Sequence, residues 1–175
     1  MIIEQLIKDV SDICLSYLTE EEQIYLSNEW DKFEEADICD IAALNGWLDL
    51  LIWARQNGCE WDNWICSSAA LNGHLEVLKW ARQNGCEWNG YVCSYAALNG
   101  HLEVLKWARQ NGCKWDSDVC SEAARNGHLE ILKWARQNGC EWDSHICNFA
   151  SENKHLKVLE WIKLNGCVCG GVYHK

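Results

Sequence analysis

The sequence has no cluster of basic residues, and its 15 lysines and arginines are outnumbered by 26 aspartates and glutamates. A protein that binds nucleic acid needs a concentrated basic surface against the phosphate backbone, so we expect no nucleic-acid partner. Most of the net charge of −11 belongs to residues 1–37, which hold eleven acidic and two basic residues. The rest of the chain is therefore nearly neutral.

Long apolar runs are also missing. No window reaches the roughly eighteen continuous apolar residues of a membrane-spanning helix, and the N-terminus lacks the pattern of a secretory signal. We therefore expect no membrane partner and no secretion. Twelve cysteines in a chain without a secretory signal predict reduced thiols and a cytoplasmic location.

Catalytic motifs are missing as well. The sequence contains no glycine-rich phosphate loop, no His-Glu-x-x-His and no Gly-x-Ser-x-Gly. These absences predict that the protein is not an enzyme and uses no cofactor.

What the sequence does contain is a 27-residue repeat. The segment Leu75–Trp88 reads LEVLKWARQNGCEW, and it recurs at Leu102–Trp115 with Lys114 in place of Glu87. A fixed period of this length indicates a solenoid of stacked copies. The units are residues 35–61, 62–88, 89–115, 116–142 and 143–169.

Within one unit the residue pattern predicts two helices. Leu75 and Leu78 begin an amphipathic helix, and Gly85 is suited to end it in the left-handed conformation. Upstream, Asp62 can cap a first helix that runs to about Leu71. One such hairpin cannot bury its apolar face alone, so we predict an all-α solenoid of about five stacked helical hairpins.

The two ends of the chain depart from the repeat. Residues 1–34 carry apolar residues at helical spacing and predict a helical cap that covers the first unit. In the last unit, Lys154 replaces the turn glycine and Cys169 replaces the loop tryptophan. The predicted organisation is therefore a cap, repeats over residues 35–169 and a mobile tail at residues 170–175.

The run Ala69–Val77, Ala-Ala-Leu-Asn-Gly-His-Leu-Glu-Val, resembles the helix-turn-helix core of the ankyrin repeat. Short units rich in tryptophan and cysteine are similar to the ankyrin-like arrays of giant DNA viruses. The resemblance implies an ankyrin-like solenoid that binds a protein partner, a host protein if the chain is viral.

The sequence also departs from the family pattern. Trp64–Ser67 stands where the family has Thr-Pro-Leu-His, and the whole chain has no proline. The period is also shorter than the family's usual length of about 33 residues. The missing residues belong to the family's β-hairpin finger, so recognition through finger tips is not expected.

The giant-virus arrays often follow an F-box, a short module that docks onto a ubiquitin-ligase core. Ile13–Leu18 is similar to part of that module, although its Leu-Pro start is missing. An alternative hypothesis therefore makes the protein a substrate-recruiting adaptor for a ubiquitin ligase, attached through the N-terminal segment.

Tryptophan recurs at one position of the second helix, in Trp53, Trp80, Trp107, Trp134 and Trp161. We interpret these residues as core, because Trp80 shares its helix with Leu78 and Ala81.

Cysteine recurs at two positions, one in the first helix and one in the loop. We interpret both as small buried thiols. Neighbouring helices lie about 8–10 Å apart, whereas a disulfide needs Cα atoms about 4.4–6.8 Å apart. Cysteines at one repeated position therefore cannot pair along the stack. A Cys-based metal or redox sensor is the second alternative function, and Cys167, Cys169 and His174 are the cluster to test for metal.

Histidine begins each second helix from the second unit onward, in His74, His101, His128 and His155. We interpret this side chain as a hydrogen-bonding link between the turn and its neighbour, with pH sensing as the alternative. Rings spaced about 10 Å apart cannot share one zinc ion, so we expect no metal site.

The residues that differ from unit to unit lie four and seven positions apart, which places them on one face of the first helix. The first unit has Asp37, Ile41 and Leu44 at these positions. In the other units the candidate partner-binding residues are Trp64, Ser68, Leu71, Tyr91, Tyr95, Leu98, Asp118, Glu122, Arg125, His145, Phe149 and Glu152. Their large aromatic rings are typical of interfaces. We therefore predict a monomeric scaffold that binds a protein through this face; neutral drift is the competing explanation.

Overall fold

The computed structural model describes residues 37–56, 58–142 and 145–167 of the chain. The predicted N-terminal cap, its F-box-like segment and the tail lie outside these residues. Cys169 and His174 also lie outside them, and so does the side chain of Asp37.

The described residues form helices that alternate with turns and short loops. The helices are α1 (Asp37–Asn45), α2 (Leu48–Gln56), α3 (Trp64–Leu71), α4 (Leu75–Gln83), α5 (Val92–Leu98), α6 (Leu102–Gln110), α7 (Asp118–Arg125), α8 (Leu129–Gln137), α9 (His145–Glu152) and α10 (Leu156–Leu164). Successive pairs make five helical hairpins in this part of the chain. The predicted all-α solenoid is confirmed.

In the second and third units, a polar side chain just before the first helix accepts a hydrogen bond from the helix backbone. Asp62 Oδ1 accepts the backbone N–H of Trp64 at 2.7 Å, and Asn89 Oδ1 accepts that of Tyr91 at 2.9 Å. The residue directly before α3 is Asn63, whose side chain makes no capping bond. The predicted cap has the right chemistry, but it lies one position further from the helix than a standard N-cap.

The first helices pack along the stack through small side chains. Cys66, Ala69 and Ala70 of α3 are completely buried. They allow α3 to contact both α1 and α5, the first helices of the neighbouring units. The second helices contact mainly the first helix of their own unit. Neighbouring units are therefore held together chiefly through their first helices.

Tryptophans occupy the wider space between second helices. Trp80 is half-buried, and it meets Trp61 of the preceding unit edge to face at a centroid distance of 5.5 Å. The buried residues of α4 are instead Val77, Leu78 and Ala81. The interpretation of the tryptophans as core residues is confirmed in part, because all five pack against the core but are only half-buried. They cover the outer side of the core and join successive units.

The cysteines pair within a unit. Cys39 of α1 and Cys59 of the following loop form a disulfide, with Cα atoms 6.6 Å apart. The prediction that all thiols are reduced is therefore wrong for this pair. Cysteines at one repeated position lie too far apart to pair along the stack. The two positions of a single unit are different, because the hairpin brings them together.

Candidate partner-binding face

The variable positions of the repeat lie on the exposed side of the first helices. Trp64 is 44% exposed and Tyr91 is 51% exposed, whereas the repeated Ala69 and Ala70 have no exposed surface. Each first helix thus turns its constant residues toward the core and its variable residues toward solvent. The sequence pattern therefore has a direct structural counterpart.

All twelve candidate residues lie outside the buried core. Exposed side chains are those of Trp64, Tyr91, Asp118, His145 and Glu152; half-buried ones are Ser68, Leu71, Tyr95, Leu98, Glu122, Arg125 and Phe149. In the first unit, Ile41 is half-buried and Leu44 is 41% exposed. We call the surface formed by the twelve residues the variable face.

Three aromatic rings stack across the boundary between the second and third units. Trp64 and Tyr91 are nearly parallel, with centroids 5.6 Å apart and an interplanar angle of 11°. Tyr91 in turn stacks on Tyr95 at 5.5 Å and 21°. Such pairs prefer offset, roughly parallel or edge-to-face arrangements. The three rings form one ordered apolar surface.

Charged groups dominate the next part of the variable face. Arg125 Nε lies 3.6 Å from Glu122 Oε2, and the Arg125 guanidinium lies 4.0 Å from the ring centroid of Phe149 in the next unit. Arg125 is thereby held by an ion pair on its own helix and by a cation–π contact across the unit boundary. Asp118, at the start of α7, is exposed nearby. The face therefore changes from aromatic to charged along the stack.

A ladder of polar contacts fixes the relative position of the units beneath this face. His101 Nε2 donates to the carbonyl of Leu71 at 3.1 Å, and Asn99 Nδ2 donates to the same carbonyl at 2.7 Å. Both bonds satisfy a carbonyl at the C-terminal end of α3, in the preceding unit. His74 and His128 make the equivalent bonds to the carbonyls of Leu44 and Leu98, each at 3.0 Å. The interpretation as hydrogen-bonding links is therefore confirmed for His74, His101 and His128.

Burial lowers the pKa of His101 below its usual value of 6.5, and the neighbouring His74 and His128 lower it further. The bond to the Leu71 carbonyl acts in the opposite direction but does not outweigh burial. The neutral ring is therefore the form that the folded protein favours.

The sequence did not reveal how the second helix holds its loop. The Arg82 guanidinium lies 4.9 Å from the ring centroid of Trp88, and its Nη1 donates to the carbonyl of Cys86 at 2.8 Å. The only signal in the sequence was the constant spacing of arginine and tryptophan. Two residues that are six positions apart do not lie on the same face of a helix, so this spacing alone did not predict a contact.

Among the side chains that the structure describes, no group of three or more His, Cys, Asp or Glu residues is placed to hold a metal ion. Of the candidate metal cluster Cys167, Cys169 and His174, the last two residues lie outside the described part of the chain. Within the same residues, none of the helices combines the length and apolar character needed to cross a membrane.

A family model described as ankyrin repeats (many copies) matches residues 66–109. The match includes the Asn72-Gly73-His74 turn of one unit and the Asn99-Gly100-His101 turn of the next. No curated protein matches the chain. Ankyrin repeats generally mediate protein–protein interactions. Residues 66–109 are thus similar to ankyrin repeats, and the described residues on both sides of them repeat the same helical hairpin.

Proposed function

We propose that this protein is a non-catalytic scaffold that binds a partner protein through the variable face. The observation that carries the proposal is the division of each first helix. Its buried residues repeat from unit to unit, and its exposed residues do not. In a repeat protein, a changing surface on a constant frame is the usual means of selecting a partner.

The aromatic part of the variable face supplies the apolar anchors for a partner. Tryptophan, tyrosine and arginine are enriched among the residues that contribute most to protein interfaces. Trp64 and Tyr91 are already stacked on each other, so binding would cost little side-chain entropy.

The charged part of the variable face gives the interaction its orientation. Asp118 offers an exposed carboxylate, while Arg125 is held between Glu122 and Phe149. Charge complementarity at an interface sets register and excludes wrong partners more than it adds affinity. A partner that lies along the stack would meet the aromatic rings at one end and these charges at the other. Because the resemblance is to giant-virus arrays, a host protein is the partner that we propose to search for.

Affinity capture from host cells tests the proposal when the wild-type chain is compared with a Trp64→Ala/Tyr91→Ala variant. A matched control, Gln83→Ala/Gln110→Ala, changes two exposed residues at the ends of second helices. The proposal predicts a protein that is recovered with the wild type and the control and lost with the aromatic variant. Equal recovery with all three proteins would show that the partner binds elsewhere.

A further inference from the structure

Each unit brings two cysteines together. The function proposed above does not use these cysteine pairs. Cys66 of α3 and Cys86 of the loop after α4 have Sγ atoms 2.7 Å apart, and both side chains are buried. Cys93 and Cys113, and likewise Cys120 and Cys140, occupy the same two positions and are also buried, and Cys120 Sγ lies 3.9 Å from the carbonyl oxygen of Cys140. These six thiols are free.

The geometry of the first unit shows what such a pair can become. Cys39 and Cys59 occupy the same two positions of the repeat and are joined by a disulfide, with Cα atoms 6.6 Å apart. This separation lies within the range of about 4.4–6.8 Å that a disulfide spans. The hairpin thus brings the two repeated positions within bonding range without a change of fold.

The two thiols of a pair differ in reactivity. The Cys66 thiol donates its hydrogen bond to Cys86, and this bond together with burial raises the pKa of Cys66. Accepting that bond lowers the pKa of Cys86, and the Arg82 guanidinium lowers it further. The thiolate is the attacking species in thiol–disulfide exchange. Cys86 is therefore the nucleophile, and Cys66 is the thiol that completes the reaction.

We propose that the pairs Cys66–Cys86, Cys93–Cys113 and Cys120–Cys140 are oxidative modification sites. Each pair closes to a disulfide within its own unit by exchange with a low-molecular-weight disulfide. The site is a dithiol formed by the first helix and the loop of one hairpin, and the first unit shows its closed state.

In the second unit, the exchange starts at the thiolate of Cys86. The Cys86 thiolate attacks one sulfur of the incoming disulfide, and that disulfide's S–S bond breaks to release a thiolate. The released thiolate takes the proton of Cys66. The Cys66 sulfur then attacks Cys86 Sγ and expels the second thiolate. The two cysteines lose two electrons, and the incoming disulfide gains them.

The disulfide would fix the loop that joins two units. Cys86 lies two residues before Trp88, whose ring contacts Trp107 of the next unit at a centroid distance of 5.9 Å. Linking this loop to α3 restricts the opening that would separate those rings. Because Cys86 is 1% exposed, the loop must move outward before an oxidant reaches its sulfur. Oxidation is therefore expected to be slow in the folded protein and to stabilise the stack once complete.

The test uses the reduced full-length protein, incubated with oxidised glutathione. Remaining thiols are alkylated under denaturing conditions, and linked peptides are mapped by mass spectrometry. Cleavage after Trp88 is required, because trypsin leaves Cys86 and Cys93 in one peptide. We expect the three linkages within units and a higher urea midpoint for the oxidised protein. Free thiols at all three sites, or linkages between units, would overturn the proposal.

Two single variants test the assigned roles. Cys66→Ser leaves the nucleophile without its partner, so Cys86 is expected to accumulate a stable glutathione adduct. Cys86→Ser leaves only Cys66, which is expected to remain unmodified over the same time. An adduct that forms instead at Cys66 would overturn the assignment of Cys86 as the nucleophile. If either variant fails to fold by circular dichroism, the wild-type linkage map decides the proposal by itself.

Discussion

The imidazole of His101 lies directly against Gly73 of the preceding unit, so that a Cβ atom at Gly73 would be 2.5 Å from the ring Nδ1. Gly73 also has a φ of +80°, which disfavours any residue with a side chain. One glycine thus serves two purposes. It forms the hairpin turn, and it leaves room for the histidine that hydrogen-bonds to α3.

Replacing Gly73 with alanine is expected to destabilise the protein through both effects. The left-handed backbone costs about 1–2 kcal/mol for an L-residue, and displacing the imidazole adds a packing cost of about 1–3 kcal/mol. Urea unfolding monitored by tryptophan fluorescence measures the loss.

Gly85→Ala is the matched control, because Gly85 has a φ of +90° and a Cβ atom added there would meet no other atom within 4 Å. It is expected to lose only the backbone contribution. Equal losses for the two variants would show that the contact with His101 contributes nothing to stability.

The pH dependence of stability should reveal the same contact. The folded-state pKa of His101 lies below its ordinary value of 6.5 because the half-buried ring is partly removed from water. The unfolded chain therefore binds more protons at that position as the solution is acidified. This contribution to stability is fully present above pH 6.5 and declines as the pH falls below that value.

Urea unfolding between about pH 5 and pH 8 measures this decline. The variant His101→Gln removes the titrating group, so its stability should fall less steeply over the acidic part of the range. An identical slope in the variant and the wild type would contradict the assigned pKa shift.

The core and the outer ends of the helices should respond very differently to truncation. Leu105 is completely buried in α6, so Leu105→Ala is expected to cost about 2–5 kcal/mol. Leu164 is 79% exposed at the end of α10, so Leu164→Ala should change the free energy of unfolding by less than about 0.5 kcal/mol. Chemical denaturation of the two variants gives both values. Comparable losses would contradict the burial assigned to these leucines.

The architecture could be predicted from the sequence because the repeat supplies the same information several times. Leu75, Leu78 and Gly85 define one helix and its end, and equivalent residues define the others. The variable face also followed from the sequence, since comparing units separates constant positions from changing ones.

The contacts between distant residues could not be predicted in the same way. His101 was assigned a bond to a neighbour, but its acceptor, the Leu71 carbonyl, lies 30 residues earlier and is identified only by the stacking geometry. The pairing of Cys66 with Cys86 was missed although the spacing of 20 residues recurs in every unit. A spacing across two helices and a turn does not give a distance until the hairpin angle is known.

The half-buried state of Trp80 was missed for a related reason. Its spacing from Leu78 and Ala81 fits a helix side near the core, but helix periodicity does not report how far apart successive second helices lie. The small side chains of the first helices determine that distance by bringing their own side of the stack together.

The central claim is that a partner protein binds at the variable face. Calorimetric titration of the captured partner into three proteins tests it most directly. These are the wild type, the Trp64→Ala/Tyr91→Ala variant and the Gln83→Ala/Gln110→Ala control. Loss of two aromatic anchors at about 2 kcal/mol each corresponds to a weakening of more than a hundredfold. The account predicts that loss for the aromatic variant and an unchanged affinity for the control. An unchanged affinity in the aromatic variant, with its fold intact by circular dichroism, would contradict it.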